Sequence, residues 1–175
     1  MDFLRGKNIS LRPVARQDLP LLRQWSNDPE LRGLTGSVIP MGEPDDEKFI
    51  QKVYASEDRI WFSAWTEDKM VGEAGLLRMF PPWRTTDMSI IIGDKEAWAK
   101  GYGSEAANLL LDYAFGYLNF HRVAVGVVGF NTRALKFWES IGFQREGIQR
   151  DGYYFNYLYH DFIMMSMLEH EFKKP

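Results

Sequence analysis

"AWAKGYGSEAANLLLDYAF", residues 97–115, is the stretch on which the reading of the fold turns. Gly101 and Gly103 flank Tyr102, Lys100 precedes them, and a long apolar-periodic run follows. Two glycines give a backbone free to bend and open to close approach. The run behind them predicts a helix from about 103 to 118, with Ala107, Leu110, Leu111, Ala114 and Leu118 on its buried face. A helix start offers unpaired N–H groups and the positive end of a dipole, so an anion is the expected guest. Taken by itself, the loop reads equally well as a tight strand-to-helix turn with no ligand.

Outward from this loop, the chain orders its elements as β-α-α-β-β-β-α-β-α-β-β. "NISLRPV", residues 8–14, alternates as a strand does, and Leu19, Leu22 and Trp25 then recur at helical spacing. Residues 25–44 are broken by Pro and Gly and read as loop with room for a short helix, and "DDEKFIQKVYA" reads as a second helix. "RIWFSAWTE", "KMVGEAGLLRMF" and "TTDMSIIIGD" predict an antiparallel meander. "RVAVGVVG" is a β-branched run expected at the centre of a sheet. Asn131 is placed to cap the next helix and Gly142 to end it. The tail from Tyr154 supplies one or two strands. Clustered strands ahead of a strand–helix–strand unit make the expected class α+β, with a mixed sheet.

Composition narrows the function. The chain has 175 residues, 45% hydrophobic and 26% charged, with a formal net charge of -3, which speaks against a general nucleic-acid or membrane-surface binder. With no cysteine, disulfides, thiolate metal sites and a Cys nucleophile are excluded. His121, His160 and His170 lack metal-ligand spacing, so no metal is expected. The N-terminus lacks the apolar run of a signal peptide, no stretch approaches the ~20 apolar residues of a membrane span, and a cytoplasmic protein is expected. The loop is not a Walker loop. As a dinucleotide fingerprint it is poor, because Ala106 stands at the third glycine position and "RVAVGVVG" ends without a ribose carboxylate.

The loop gains meaning beside a second motif, "NTRALKFWESIGF", residues 131–143. Together, "IIIGDKEAWAKGYGSEA" and this segment resemble the acetyl-CoA-binding core of the GNAT N-acetyltransferases. The likeness covers nearly the whole chain in element order. It is closest to the branch of ribosomal-protein N-terminal and spermidine acetyltransferases, which favours a Trp-Gly-Lys-Gly-Tyr-(Ala/Gly)-Thr-Glu-Ala loop. Here that loop runs from Trp98 to Ala106, with Ala99 and Ser104 as mild departures. The resemblance implies a single acetyltransferase domain over 1–175, with a mostly antiparallel central sheet flanked by helices. It implies acetyl-CoA as co-substrate, with backbone amides of Ala99, Lys100, Gly101, Tyr102, Gly103 and Ser104 on its pyrophosphate. Ile91, Ile92 and Gly93 would pair with the pantetheine arm as a strand would, and Asn131 and Trp138 would complete the cofactor site. The acceptor is then an amine, either a small molecule or a protein N-terminus, and a homodimer is among the assemblies implied.

An amine must lose a proton before it attacks a thioester. Asp87 lies fourteen residues before Gly101, an offset at which some GNATs carry a catalytic Glu, so the resemblance offers Asp87 as base through a bridging water. Glu73, in "VGEAGL", is the second candidate. The plain alternatives are a solvated strand-end Asp87 and a Glu73 on the wet face of its strand. Many GNATs place a Tyr, as acid to the leaving thiolate, seven residues after the Asn; here Trp138 stands there, and indole cannot donate a proton in this way. That departure keeps a second function open, a non-catalytic acyl-CoA-binding or sensing domain. Trp61, Trp65, Phe80, Trp83, Tyr153, Tyr154, Phe155 and Tyr157 are expected to flank the acceptor side or to fill core.

Overall fold

The computed structural model describes residues 1–174. One eight-stranded sheet runs through them in the order β1-β2-β3-β4-β5-β6-β8-β7. The strands are β1 (Leu4–Arg5), β2 (Ser10–Pro13), β3 (Ile60–Trp65), β4 (Met70–Phe80), β5 (Thr85–Ile92), β6 (Arg122–Val128), β7 (Gln144–Phe155) and β8 (Leu158–Leu168). Every neighbouring pair is antiparallel except β5 and β6. Those two run parallel because helix α4 (Tyr102–Asp112) crosses between them.

The parallel pairing is short. Thr85, Thr86 and Asp87 pair with Arg122, Val123 and Ala124, and the strands then part. Beyond that point β5 is held on one side only, by β4, through pairs that continue to Gly72–Ile92. The sheet therefore opens into a fork, and the β5 edge from Met88 onward faces it.

Strand alternation sorts the side chains between two cores. On one face, Phe62, Leu76, Met88, Val123, Val125 and Val127 are buried with Ala107, Leu110 and Leu111 of α4 and with Leu135 and Trp138 of α5 (Thr132–Ile141). On the other, Leu19, Leu22 and Trp25 of α1 (Leu19–Asn27) and Leu31 of α2 (Pro29–Thr35) pack with Met70, Trp61 and Trp65. Helix α3 (Asp45–Ala55) adds Phe49 and Ile50. Local chemistry sets the helix limits. The Asp28 carboxylate accepts from the backbone N–H groups of Glu30 and Leu31 at 3.0 Å and opens α2, which Gly36 closes at φ +79°. Asn131 accepts from Ala134 N–H at 3.1 Å and opens α5, which Gly142 closes at φ +114°.

Three elements differ from the sequence reading. The two-residue β1 precedes the first expected strand. Strand β7 begins at Gln144, well before the expected tail strand, because nearly all its side chains are exposed and leave no hydrophobic alternation to read. Helix α4 keeps α geometry only to Asp112, then widens into a π-type turn over Tyr113–Tyr117.

The chain enters α4 through two left-handed residues, Ala99 at φ +60° and Gly101 at φ +82°. Gly101 adopts this region freely; Ala99 carries a Cβ that it disfavours, at about 1 kcal/mol or more. Ala99→Gly should therefore raise stability by about 1 kcal/mol, read as a higher urea midpoint with an unchanged slope.

Candidate active site

The fork opens into a cavity of about 530 Å³. Ile91 and Ile92 line it from β5. Ala99 and the run from Gly101 to Ser104 line it from the loop and the first turn of α4. Asn131 and Trp138 line it from α5. These expected residues, scattered over the sequence, meet around one space. Gly93 and Lys100 do not line it. A Cβ on Gly93 would lie 2.0 Å from the Trp25 ring, so this glycine serves close packing against α1. Lys100 borders a separate polar hollow near the N-terminal strands.

The loop end of the cavity is suited to an anion. The first turn of α4 has no side-chain cap, so its N–H groups remain on offer. The Arg133 guanidinium lies 4.0 Å from the Trp98 ring centroid, and the Trp98 indole donates to the Ile92 carbonyl at 2.7 Å. A Cβ on Gly101 would meet nothing within 4 Å, and one on Gly103 would touch Phe137 at 3.4 Å, so both face open or yielding space. Arg133, Ala134 and Phe137 also line the cavity. They sit within the second motif, and their helical spacing from Asn131 would have found them.

The opposite end was less legible. Leu31, Leu34 and Thr35 of α2 form one wall, Tyr153 of β7 and Phe162 of β8 another. The Tyr153 hydroxyl donates to the Gly33 carbonyl at 3.0 Å, which ties the β7–β8 hairpin to α2. Burial pushes the Tyr153 phenol up, so it stays protonated. Of the aromatic residues expected near the acceptor, Tyr153 alone lines this cavity. Trp61 and Trp65 pack against the α1–α2 core, Phe155 sits against Gly33, and Phe80 and Trp83 form an exposed edge-to-face pair. Tyr154 and Tyr157 are exposed.

Both candidate carboxylates stand on the α1–α2 face of the sheet, and neither lines the cavity. Asp87 is the last residue of β5 still paired with β6, at the crotch of the fork. Its Oδ2 accepts from Arg78 Nε at 2.6 Å and Nη2 at 2.5 Å, and its side chain keeps 25% exposure. Glu73 is not on a wet face. It lies opposite Ile91 in the β4–β5 register, is 7% exposed, and accepts one hydrogen bond, from Trp61 Nε1 at 2.6 Å. Burial pushes its carboxyl up, against a smaller opposing effect of the Trp61 hydrogen bond.

Comparison with known proteins agrees with this architecture. Residues 8–144 match the family model described as "Acetyltransferase (GNAT) domain". "Probable N-acetyltransferase YjcK" of Bacillus subtilis is 30% identical, over 95% of this chain and 97% of that protein. The spermidine N(1)-acetyltransferase of Vibrio cholerae is 24% identical, over 95% and 96%. A crystal structure of the Vibrio cholerae spermidine N-acetyltransferase, in complex with CoA and spermine, superposes with a TM-score of 0.86 at 23% identity, over 95% of this chain and 98% of that one. The fold of this mixed, mostly antiparallel sheet is thus shared with solved acetyltransferases, and by the family model the chain belongs to the GNAT family of acetyl-CoA-dependent N-acetyltransferases.

Proposed function

We propose that this chain transfers an acetyl group from acetyl-CoA to a primary amine by direct attack in a ternary complex. The observation that carries this reading is the open β5 edge. Backbone N–H and C=O groups within a protein rarely go without partners, and an extended, amide-bearing arm can supply them as an added strand would. Ser89 to Ile92 would hold that arm, while the first turn of α4 and Arg133 would hold its diphosphate. Bound acetyl-CoA supplies a thioester whose carbonyl carbon receives the amine nitrogen as the C–S bond breaks and a thiolate leaves. An unpaired N–H on the β5 edge polarises the carbonyl.

Asp87 is the base in this reading. Its second carboxylate oxygen is not engaged by Arg78, and one water spans from there to the amine at the fork. Burial disfavours the charged form of Glu73, which makes it the second candidate. Trp138 packs edge-to-face on Phe137 and Phe143, and its indole does not release a proton. The leaving thiolate therefore takes its proton from solvent.

The direct test is release of free coenzyme A thiol with a panel of primary amines. Amine-dependent release supports the reading; tight coenzyme A binding without turnover of any amine would leave the non-catalytic binding domain in its place. Gly103→Val should weaken coenzyme A binding by about tenfold or more by calorimetry, about 1.4 kcal/mol, with the fold intact. Its branched methyls would enter the space that the diphosphate needs. Asp87→Asn should lower kcat by about 10²- to 10⁴-fold with coenzyme A affinity unchanged, and the loss should shrink at high pH, where more of the amine is already neutral.

Glu73 yields a stability prediction. Its native carboxyl titrates above the ordinary value of 4.5. The fold therefore favours the protonated form, whose contribution is full below that value and is lost as pH rises through the raised one. Glu73→Gln keeps an acceptor oxygen for Trp61 and never ionises. Its Tm relative to wild type should rise as pH increases from the ordinary carboxyl value of 4.5 through the raised one, and then level off. Its kcat should stay within about threefold, and a loss of about 100-fold would move the base from Asp87 to Glu73.

A further inference from the structure

Resting on the acetyl-transfer reading, we infer that the acceptor is a primary amine carrying a single positive charge on an apolar body, not a polyamine or another polycation. The cavity is electrically lopsided. Among the described residues that line it, Arg133 is the one charged side chain, and it sits over Trp98 at the diphosphate end. No Asp or Glu lines it. The acceptor end is walled by Leu31 and Leu34 on one side and by Tyr153 and Phe162 on the other.

This wall is built rather than incidental. Tyr153 belongs to a ring cluster with Phe130 and Phe155, with centroids 5.9 to 6.2 Å apart, and His160 packs edge-on at 4.8 Å from Phe130. A Cβ on Gly33 would lie 2.8 Å from Phe155, so α2 and the hairpin meet without slack. The Tyr153 hydroxyl is already bonded to Gly33, which leaves its ring as the surface offered to a guest.

On the hairpin side, Asp151 and Asp161 stand beside Tyr153 and Phe162 in the chain but do not line the cavity, and the acidic residues on the helical side are committed elsewhere. Asp28 and Glu30 both hold Lys95 at 2.9 Å. On α3, Asp46 pairs with Arg23, Glu47 with Arg16 and Asp45 with Lys48. A reacting amine needs no permanent counter-charge, because its proton leaves through Asp87. A second or third ammonium group would lose its water and find no carboxylate in the cavity. An aliphatic or aromatic body instead gains from burial against Leu31, Leu34 and Tyr153.

The test measures kcat/KM for thiol release, at saturating acetyl-CoA, with phenethylamine, with a Phe-Leu-Gly peptide bearing a free N-terminus, and with spermidine. The proposal expects phenethylamine or the peptide to exceed spermidine by about tenfold or more. The ratio of those two separates a small-molecule acceptor from a protein N-terminus. Leu34→Glu should shift preference toward spermidine by about tenfold or more, and Thr35→Glu, at an exposed position on the same wall, should shift it the same way if Leu34→Glu fails to fold. A wild-type advantage of less than tenfold, or spermidine as the best acceptor, would overturn the proposal while leaving acetyl transfer standing. No turnover of any of the three amines, with coenzyme A still bound, would overturn the transfer reading and this proposal together.

Discussion

The parting of β5 from β6 is the constraint on which the rest depends. Parallel strands cannot be joined by a tight turn, so the chain must leave β5, cross as α4 and return as β6. The crossover keeps the two strands paired over three residues each. Past Asp87 and Ala124, each strand has its other neighbour but lacks this one. The result is an interior edge, which would be a liability on a sheet's rim and is useful where it borders a cavity. The helix that forces the gap also brings its own first turn to the mouth of it, so the open strand edge and the uncapped helix start arise from one topological fact.

Around that gap the two faces of the sheet have separate duties. The α4–α5 face is continuous apolar packing, from Phe62 and Leu76 through Val123 to Leu135, and it fixes the loop and the fork. The α1–α2 face has a smaller core and contributes α2 to one wall of the cavity. Lys95 links the two, since it stands in the loop that leads to α4 and binds both the capping Asp28 and Glu30 at the start of α2. Such partly exposed pairs add little stability, but they set where α2 sits relative to the loop.

The half of the cavity lined by the glycine loop and α5 was legible in the sequence because it is local. Gly101 and Gly103 before an apolar-periodic run, and Asn131 and Gly142 around a helix, are signals carried within a dozen residues. The half walled by α2 and the β7–β8 hairpin depends on contacts far apart in the chain. Tyr153 reaches Gly33 across 120 positions, and α2 is only seven residues long with a glycine inside it, so it read as loop. Glu73 illustrates a different limit. An acidic residue in an apolar strand is visible as an anomaly, but whether it meets water depends on Trp61 from the neighbouring strand, whose register with β4 no local pattern fixes. The position of Asp87 was readable from its offset to the loop; its partner Arg78, held in a left-handed bend of β4 at φ +49°, was not.

Strand β7 has a consequence for how the protein behaves in a crowded solution. It is the outermost strand, twelve residues long and almost wholly exposed, the kind of rim onto which a foreign strand could add. Its pairing with β8 slips twice, between Arg145 and Gly147 and between Gln149 and Tyr153, and Asp151 turns left-handed at φ +54°. Irregularities of this kind break the straight row of free amides that an incoming chain would need, and the charges of Arg145, Glu146, Arg150 and Asp151 reinforce the discouragement. The second slip also bends the hairpin toward α2, which delivers Tyr153 to Gly33. The same kink that interrupts this rim thus shapes one wall of the cavity through Tyr153.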